Sequence, residues 1–293
     1  MAEPTLPSDS PLQRASLPTA SDSAPIGLAL SFSGAASAAK RPALVWPLPP
    51  ATWQPGTSDI HVWAAFLDWP IDALAQFGST LAPAETDRAE RFRFPRHRNR
   101  FVAGRGCLRA ILASYLGCAP AELEFGYGPN GKPVLAGRFT SKGFHFNQAH
   151  SEELMLVAIS RAGPVGIDIE RIRPLPDAEQ LVARFFSRRE SEAFQLLSEE
   201  QRTICFFNLW TRKEAWLKAT GEGIGHSLSV VEVAFLPGEP ARLLSIAGKK
   251  KLAAHWHLHA LAPAPGYAAA LATLARTTRL SCWRWPQSAV PQS

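Results

Sequence analysis

The chain has 293 residues, of which 46% are hydrophobic and 19% charged, and its formal net charge is +6 at pH 7. This composition supports a large buried core and excludes a wholly disordered chain. No stretch approaches 18 uninterrupted apolar residues, which excludes a membrane-spanning helix, and four scattered cysteines without a C-x-x-C pair exclude a disulfide-dense scaffold and a cysteine zinc site.

The first 55 residues differ in composition from the rest. Residues 1–55 are rich in Ala, Ser and Pro and lack sustained periodicity, so we predict a disordered tail. The apolar run 26–32 resembles a weak export signal, but acidic Glu3, Asp9 and Asp22 precede it where a signal peptide carries basic residues. We therefore expect a cytoplasmic protein whose cysteines are ordinary thiols.

Residues 56–160 predict a first unit of helices and short strands. Apolar residues recur at helical spacing between Arg98 and Leu116, and Gly117 then ends the helix. The elements expected in chain order are a strand at 60–67, a charged helix at 80–94 broken at Pro95, a helix at 98–116, and strands at 123–127, 144–147 and 154–160.

Residues 161–275 repeat this order of a strand, helices and further strands. Ser187 and Ser198 are followed three residues later by Glu190 and Gln201, which is the capping-box pattern that opens a helix. The elements expected are a strand at 165–170, a helix after each serine, the second running to Gly221, and strands at 229–235, 255–261 and 267–273.

The two units together indicate an α+β fold. Helices interspersed with hairpin-like strands favour this class over a doubly wound sheet. The repeated element order suggests a duplicated unit, with 56–160 as the N-terminal half and 161–275 as the C-terminal half. Residues 276–293 are expected to be a loose tail.

Two acidic residues alternate with isoleucines in the stretch Gly166-Ile167-Asp168-Ile169-Glu170. Residues two apart in a strand point to the same side, so Ile167 and Ile169 would enter the core while Asp168 and Glu170 project together. Adjacent carboxylates repel each other unless a cation lies between them, and oxygen ligands suit Mg²⁺. The alternative is an exposed strand face with two solvated acids.

A third carboxylate lies on the helix expected after Ser198. Glu214 falls four residues after Trp210 and three before Leu217, on the apolar stripe, where an unpaired charge is costly. Lys218, four residues later, is a candidate partner. The alternative is a local ion pair at the edge of the stripe.

Further polar residues are candidate anion contacts. The segment 146–151 places Asn147 and His150 at the end of a strand, and Lys132 lies in a Gly-Lys-Pro turn; each is either structural or phosphate-binding.

The basic net charge of the chain favours an anionic partner. A set of arginines interleaved with phenylalanines forms either a nucleic-acid stripe or a solvated helix face, and comprises Arg88, Arg91, Arg93, Arg96, Arg98, Arg100, Arg105 and Arg109.

Taken together, these motifs resemble the surfactin-type 4′-phosphopantetheinyl transferases. The G-x-D-x-E strand of that family stands at 166–170 and its W-x-x-K-E-x-x-x-K helix at 210–218, preceded by the G-K-P turn at 131–133 and an F-N-x-S-H-like segment at 146–150. Four motifs in the correct order are more specific than any one of them. The resemblance implies two similar α+β halves packed as a pseudo-dimer, with the active site in the cleft between them.

The resemblance also implies an activity. Coenzyme A donates its phosphopantetheine arm to a serine of an apo acyl or peptidyl carrier protein, and 3′,5′-ADP leaves. By the same carry-over Asp168, Glu170 and Glu214 hold Mg²⁺, with Mn²⁺ as the alternative metal. The partners implied are coenzyme A and the carrier protein, with no nucleic acid and no membrane, and the pseudo-dimer is expected to act as a monomer.

The individual roles follow from the resemblance. Glu214, Lys218 and His150 are the catalytic candidates, with Glu214 as the base and the other two on the pyrophosphate. The residues expected to contact coenzyme A are Arg96, Lys132, Asn147, His150, Asp168, Glu214 and Lys218, with Lys132 and Arg96 at the 3′-phosphate end.

This sequence departs from the family pattern at two positions. Ala149 replaces the usual serine before His150, and Tyr127 stands where many relatives carry a basic residue. A non-catalytic relative that binds coenzyme A or a carrier protein is the alternative function, and the intact carboxylates argue against it.

Overall fold

The computed structural model describes residues 43–51, 56–128, 130–221, 228–274 and 279–286. The strands in these ranges are β1 (Asp59–Phe66), β2 (Phe125–Tyr127), β3 (Pro133–Leu135), β4 (His145–Ser151), β5 (Leu154–Ser160), β6 (Val165–Arg171), β7 (Val231–Val233), β8 (Leu243–Ile246), β9 (His257–Leu261), β10 (Tyr267–Thr273) and β11 (Arg279–Arg284). The α-helices are α1 (Ile71–Gly78), α2 (Pro83–Glu90), α3 (Pro95–Leu116), α4 (Ala178–Phe185), α5 (Arg188–Gln195), α6 (Glu199–Thr220) and α7 (Lys250–Ala253).

The longer strands form two sheets. The first has the order β11-β1-β5-β4, in which β5 is antiparallel to both its neighbours and β11 is parallel to β1. The second has the order β6-β10-β9 and is antiparallel throughout. The short hairpins β2–β3 and β7–β8 lie apart from them.

Each sheet is covered on one face by a long helix. α3 packs on the first sheet and α6 on the second; both have 22 residues. Each helix ends at a glycine in the left-handed conformation, Gly117 (φ 64°) and Gly221 (φ 74°), where other residues would be strained. The two halves therefore share one design.

The remaining faces of the two sheets pack against each other. Val62 and Leu156 of the first sheet share a core with Ile167, Ile169 and Leu271 of the second. The order of layers is thus helix, sheet, sheet, helix. This confirms the predicted α+β fold of two similar halves.

The C-terminal segment was predicted incorrectly. Residues 276–293 were expected to be a loose tail, but Arg279–Arg284 form β11, which pairs along the edge of β1 from Asp59 to Ala64. An edge strand offers unpaired N–H and C=O groups, and β11 satisfies them. Trp283 adds apolar contact in the core under α3. The N-terminal half is therefore completed by residues from the end of the chain.

The predicted N-terminal tail is also ordered in part. Residues 1–42 and 52–55 lie outside the described residues. In segment 43–51, Leu44 and Trp46 pack against the core between the sheets. Val45 N donates to the Pro263 carbonyl at 3.1 Å, and the Pro47 carbonyl accepts from Arg284 N at 2.9 Å. This segment contacts both halves.

The remaining differences from prediction are local. α1 was not predicted, and α3 begins at Pro95 instead of Arg98 because proline is well suited to the first helical position. Ser187 caps α5 as predicted, with its Oγ accepting from Glu190 N and its own N–H donating to the Glu190 carboxylate.

No helix within the described ranges is both long and apolar enough to span a bilayer.

Candidate active site

The site forms where β6 crosses α6 at close range. A β-carbon added to Gly166 would lie 2.1 Å from the carbonyl oxygen of Ala215 and 2.2 Å from the amide nitrogen of Ala219. Only glycine permits this approach of strand and helix. The glycine of the G-x-D-x-E stretch therefore sets the distance between the two elements that carry the acidic residues.

Side chains along β6 alternate as predicted. Ile167 and Ile169 are buried between the sheets, whereas Asp168 and Glu170 point to the side that α6 covers. Their neighbours across β10 are Ala270 and Ala268, whose small side chains leave room for carboxylates. Asp168 is only 4% exposed, so the alternative of two solvated acids is wrong for this residue.

Lys218 of α6 binds Asp168 directly. Its Nζ lies 2.6 Å from Asp168 Oδ1. The ion pair thus joins α6 to β6, whereas the sequence suggested a pair within the helix between Lys218 and Glu214. Glu214, one turn earlier on α6, is 5% exposed, and its Oε1 is buried with no hydrogen-bond partner.

The carboxylates perturb one another. Burial, followed by the negative charge of Asp168, raises the pKa values of Glu170 and Glu214 to about 7 each. Burial alone would lower the pKa of Lys218, but the charges of Asp168 and Glu214 outweigh it and raise that pKa. Asp168, Glu170, Glu214 and Lys218 form a cluster with three carboxyl groups and one ammonium group. Its potential negative charge exceeds what one lysine neutralises, and a further cation would stabilise it.

The donor chemistry of this cluster fits a hard divalent cation. Asp168 Oδ2 and Glu214 Oε1 are both buried without hydrogen-bond partners, and carboxylate oxygens are the ligands that Mg²⁺ and Mn²⁺ take. In the described part of the chain, however, no group of three or more His, Cys, Asp or Glu side chains is gathered closely enough to hold a metal ion. Side-chain rotations would be needed to bring a third oxygen into place.

Strand β4 adjoins β6 through side chains. Asn147 Oδ1 accepts from Ile167 N at 2.8 Å, and Ser151 Oγ accepts from Arg171 N at 3.0 Å. Asn147, which was expected to bind coenzyme A, uses its side-chain oxygen to join the two halves. Ala149 lies between these two positions on the same face of β4 and is buried.

Ser151 was missed in the sequence analysis. Its Oγ donates to Glu170 Oε2 at 2.8 Å and so fixes one of the expected metal ligands. Arg173 Nη1 approaches the same oxygen at 3.9 Å. One sequence pattern could have indicated this residue. Asn147, Ala149 and Ser151 alternate along a strand, so Ser151 faces the same side as Asn147.

His150 follows Ala149 on the opposite, exposed side of β4. Desolvation lowers its pKa, and the positive charges of Lys218 and then Arg100 lower it further. His150 therefore lies within range of the positive charge of Lys218.

The two residues expected to bind the 3′-phosphate end of coenzyme A differ in their hydrogen-bond partners and exposure. Lys132 is half-buried and donates to Val165 O, Lys218 O and Ala219 O, and desolvation lowers its pKa to about 8. Arg96 is exposed in the first turn of α3. In this structure all three N–H donors of Lys132 have carbonyl partners, so none is free for the expected phosphate contact.

Comparison with known proteins identifies the family. Residues 69–162 match the family described as 4′-phosphopantetheinyl transferase, N-terminal, and residues 164–272 match the 4′-phosphopantetheinyl transferase superfamily. The 4′-phosphopantetheinyl transferase HetI of Nostoc sp. is 44% identical over 216 residues, which cover 74% of this chain and 88% of that protein. The chain belongs to the 4′-phosphopantetheinyl transferase family.

Other relatives are more distant. The 4′-phosphopantetheinyl transferase psf-1 of Bacillus pumilus is 38% identical over 48% of this chain and 58% of its own length, and the transferase Sfp of Bacillus subtilis is 25% identical over 59% and 76%. The predicted family, fold and enzyme class are thereby confirmed. The chain is a transferase of the 4′-phosphopantetheinyl type, and its family uses coenzyme A as substrate and acts on carrier proteins.

The arginines of this transferase do not form one continuous stripe. Arg105 and Arg109 are buried, and both pair with the buried Glu85, at 3.5 Å and 2.7 Å. Arg109 also donates to the carbonyls of Pro120 and Leu123. A nucleic-acid stripe would need these side chains on the surface. The exposed members are Arg88, Arg91, Arg93, Arg96 and Arg98.

A fully buried lysine supports helix α6. Lys213, next to Glu214, is fully buried and donates to Glu190 Oε2 (2.5 Å) and to the carbonyls of Leu228 (2.8 Å) and Val231 (2.6 Å). Glu190 Oε1 accepts in turn from Val233 N. The lysine of the W-x-x-K-E motif in this transferase therefore connects α6 to α5 and β7.

Proposed function

We propose that this transferase moves the phosphopantetheine arm of coenzyme A to a serine of an apo acyl or peptidyl carrier protein. The observation that carries the proposal is the pair of unpartnered buried oxygens, Asp168 Oδ2 and Glu214 Oε1, beside Lys218 at the crossing of β6 and α6. Phosphoryl transfer depends mainly on positioning and on neutralising charge, and this cluster supplies both kinds of group.

The carboxylates of Asp168, Glu170 and Glu214 would hold the divalent cation. Mg²⁺ is the proposed metal and Mn²⁺ the alternative, because both take oxygen ligands. A bound cation would offset the negative charge of the pyrophosphate. Ser151 keeps the Glu170 carboxylate oriented through its 2.8 Å hydrogen bond.

Lys218 and His150 bind the pyrophosphate in this proposal. A lysine ammonium has three donors, and the ion pair with Asp168 accounts for one of them. His150 is on the exposed side of β4 and senses the charge of Lys218, and we assign both side chains to the same anion. Ala149 contributes no hydroxyl, so this transferase makes one phosphate contact fewer than relatives with a serine there.

The chemical step is a substitution at phosphorus. The serine oxygen of the carrier forms a bond to the β-phosphorus of coenzyme A, while the bond from that phosphorus to the bridging oxygen breaks and 3′,5′-ADP leaves with the electron pair. Glu214 accepts the serine proton at the unpartnered Oε1. Because both halves contribute residues within one chain, we propose that a monomer is active.

The proposed surroundings follow from composition. All four cysteines are unpaired thiols, which fits a reducing compartment, and we propose the cytoplasm. The exposed arginines between Arg88 and Arg98 favour an acidic carrier protein as the partner.

The decisive experiment is incubation of the purified chain with coenzyme A, Mg²⁺ and a panel of apo carrier proteins. Intact-mass analysis should detect the gain of phosphopantetheine on at least one carrier, and no gain should occur without Mg²⁺ or without coenzyme A. Binding of coenzyme A without transfer to any carrier would instead support the non-catalytic alternative.

A further inference from the structure

The turn of the β2–β3 hairpin reaches from the N-terminal half to the crossing of β6 and α6. Lys132 Nζ donates to Val165 O at 3.1 Å, to Lys218 O at 2.5 Å and to Ala219 O at 3.2 Å. The first acceptor lies at the start of β6, immediately before Gly166, and the other two lie in the last turn of α6. One ammonium group thus holds both elements.

The hydrogen-bonding capacity of this ammonium group is fully used. A lysine has three N–H donors and no acceptor, and each donor here has a carbonyl partner. A phosphate would have to displace one of these carbonyls. The last carbonyls of a helix lack partners within the helix, so Lys132 also satisfies groups that would otherwise be unpaired.

Asn130 makes a second contact from the same turn. Its Nδ2 donates to Gly221 O at 2.8 Å, just past the end of α6. The Asn130 amide thus adds a second structural contact between the turn and the end of α6. Together, Asn130 and Lys132 cap the C-terminal end of the helix that carries Glu214 and Lys218.

We propose that Lys132, assisted by Asn130, is a positioning residue that fixes the crossing of β6 and α6 and thereby the distance between Asp168 and Lys218. This inference rests on the proposed function, since it gives Lys132 a part in the same reaction. Lys132 acts through the backbone of α6 and does not contact the substrate. Only the compact ammonium group reaches all three carbonyls, because the planar guanidinium of arginine directs its donors differently.

The test compares Lys132→Arg, Lys132→Met and Asn130→Ala with Lys142→Met, a matched change of an exposed lysine in the same half. We expect kcat to fall by about tenfold or more in both Lys132 variants and by less in Asn130→Ala, with KM for coenzyme A within about twofold of wild type. Amide hydrogen exchange of residues 213–221 should accelerate in all three variants and stay unchanged in Lys142→Met.

Two results would overturn the inference. If Lys132→Met raises KM for coenzyme A by about tenfold, Lys132→Arg restores it, and exchange of residues 213–221 is unchanged, then Lys132 is a phosphate ligand. If Lys132→Met does not fold, Asn130→Ala decides: unchanged kcat and exchange in that variant would exclude a positioning role for the turn. Wild-type activity in the same assay tests the proposed function separately.

Discussion

Lys218 Nζ and Asp168 Oδ1 are 2.6 Å apart, so the ion pair that joins α6 to β6 is made by two residues with expected roles in the reaction. Lys218 neutralises Asp168, while Glu214 on the same helix keeps an unpartnered carboxylate oxygen.

Asp168→Ala and Glu214→Ala should each abolish transfer without unfolding the protein. Both changes remove an oxygen donor from the cluster and leave the apolar core intact. Initial rates at matched Mg²⁺ should fall by more than about 100-fold, as expected for loss of groups that act on the transition state. Glu200→Ala, in the exposed first turn of α6, is the control. Wild-type rates in either variant would contradict the metal assignment.

The metal-free protein should be destabilised by its own carboxylates above neutral pH. Burial, then the charge of Asp168, raises the pKa of Glu214 from 4.5 to about 7. A carboxyl group with a raised pKa in the folded state resists ionisation there, so the free energy of unfolding falls as the pH rises from about 4.5 to about 7 and stays low above that range.

Glu214→Gln removes this cost. The metal-free variant should exceed metal-free wild type in unfolding free energy by about 1 to 3 kcal/mol at pH 8, and by less at pH 5. Mg²⁺ should raise the Tm of wild type more than that of Glu214→Gln, because a ligand that binds only the folded state stabilises it. Equal Tm values for the two metal-free proteins at pH 8 would refute the account.

Gly166→Ala should disrupt the crossing of β6 and α6. The new methyl group would lie about 2 Å from backbone atoms of α6, which cannot move aside as a flexible side chain can. We expect a loss of about 3 kcal/mol or more in unfolding free energy, together with loss of transfer. Gly126→Ala, in β2, is the control, since its nearest contacts would be 3.6 and 3.7 Å. Similar urea midpoints for the two variants would contradict this prediction.

Local patterns in the sequence were sufficient to predict much of the site. Alternation along β6 correctly separated Ile167 and Ile169 from Asp168 and Glu170, and the apolar stripe of α6 correctly marked Glu214 as a buried acid. These results depend on periodicity within one element. The family motifs then supplied their order and chemical meaning.

Contacts between distant segments could not be predicted in this way. The carbonyl partners of Lys132 and the pairing of β11 with β1 depend on how the halves pack, which no local pattern encodes. Arg109 looked like a surface residue because its partner, Glu85, lies on another helix. Pro95 looked like a helix breaker, although the first position of a helix requires no N–H donor.

Removal of segment 43–51 should lower stability and leave the chemistry unchanged. A chain that starts at Gly56 loses the packing of Leu44 and Trp46 and two backbone hydrogen bonds, so its Tm should be lower than that of a chain starting at Ala43. Transfer rates should match at temperatures where both are folded. Trp46→Ala should reproduce part of the loss and Leu48→Ala, at an exposed position, very little. Identical Tm values for the two chains would show that the segment adds no stability.

The exposed arginines should accelerate encounter with an acidic carrier protein. At saturating coenzyme A, the apparent second-order rate for the carrier should fall as salt rises from about 0.05 to 0.5 M, because salt screens the attraction. Arg93→Glu should weaken this dependence more than Arg242→Glu, an equal change of charge at an exposed site in the other half. A rate that is flat or rises with salt would indicate apolar recognition.

The parallel pairing of β11 with β1 has a consequence for synthesis of the protein. While the nascent chain grows, β1 and β5 can pair, but the outer edge of β1 stays open until residues 279–284 leave the ribosome. An open strand edge is a site for mispairing with other chains, so this stage should depend most on chaperones. A released chain that ends at Thr273 should therefore be more sensitive to protease and aggregate more readily than a released chain that ends at Pro286.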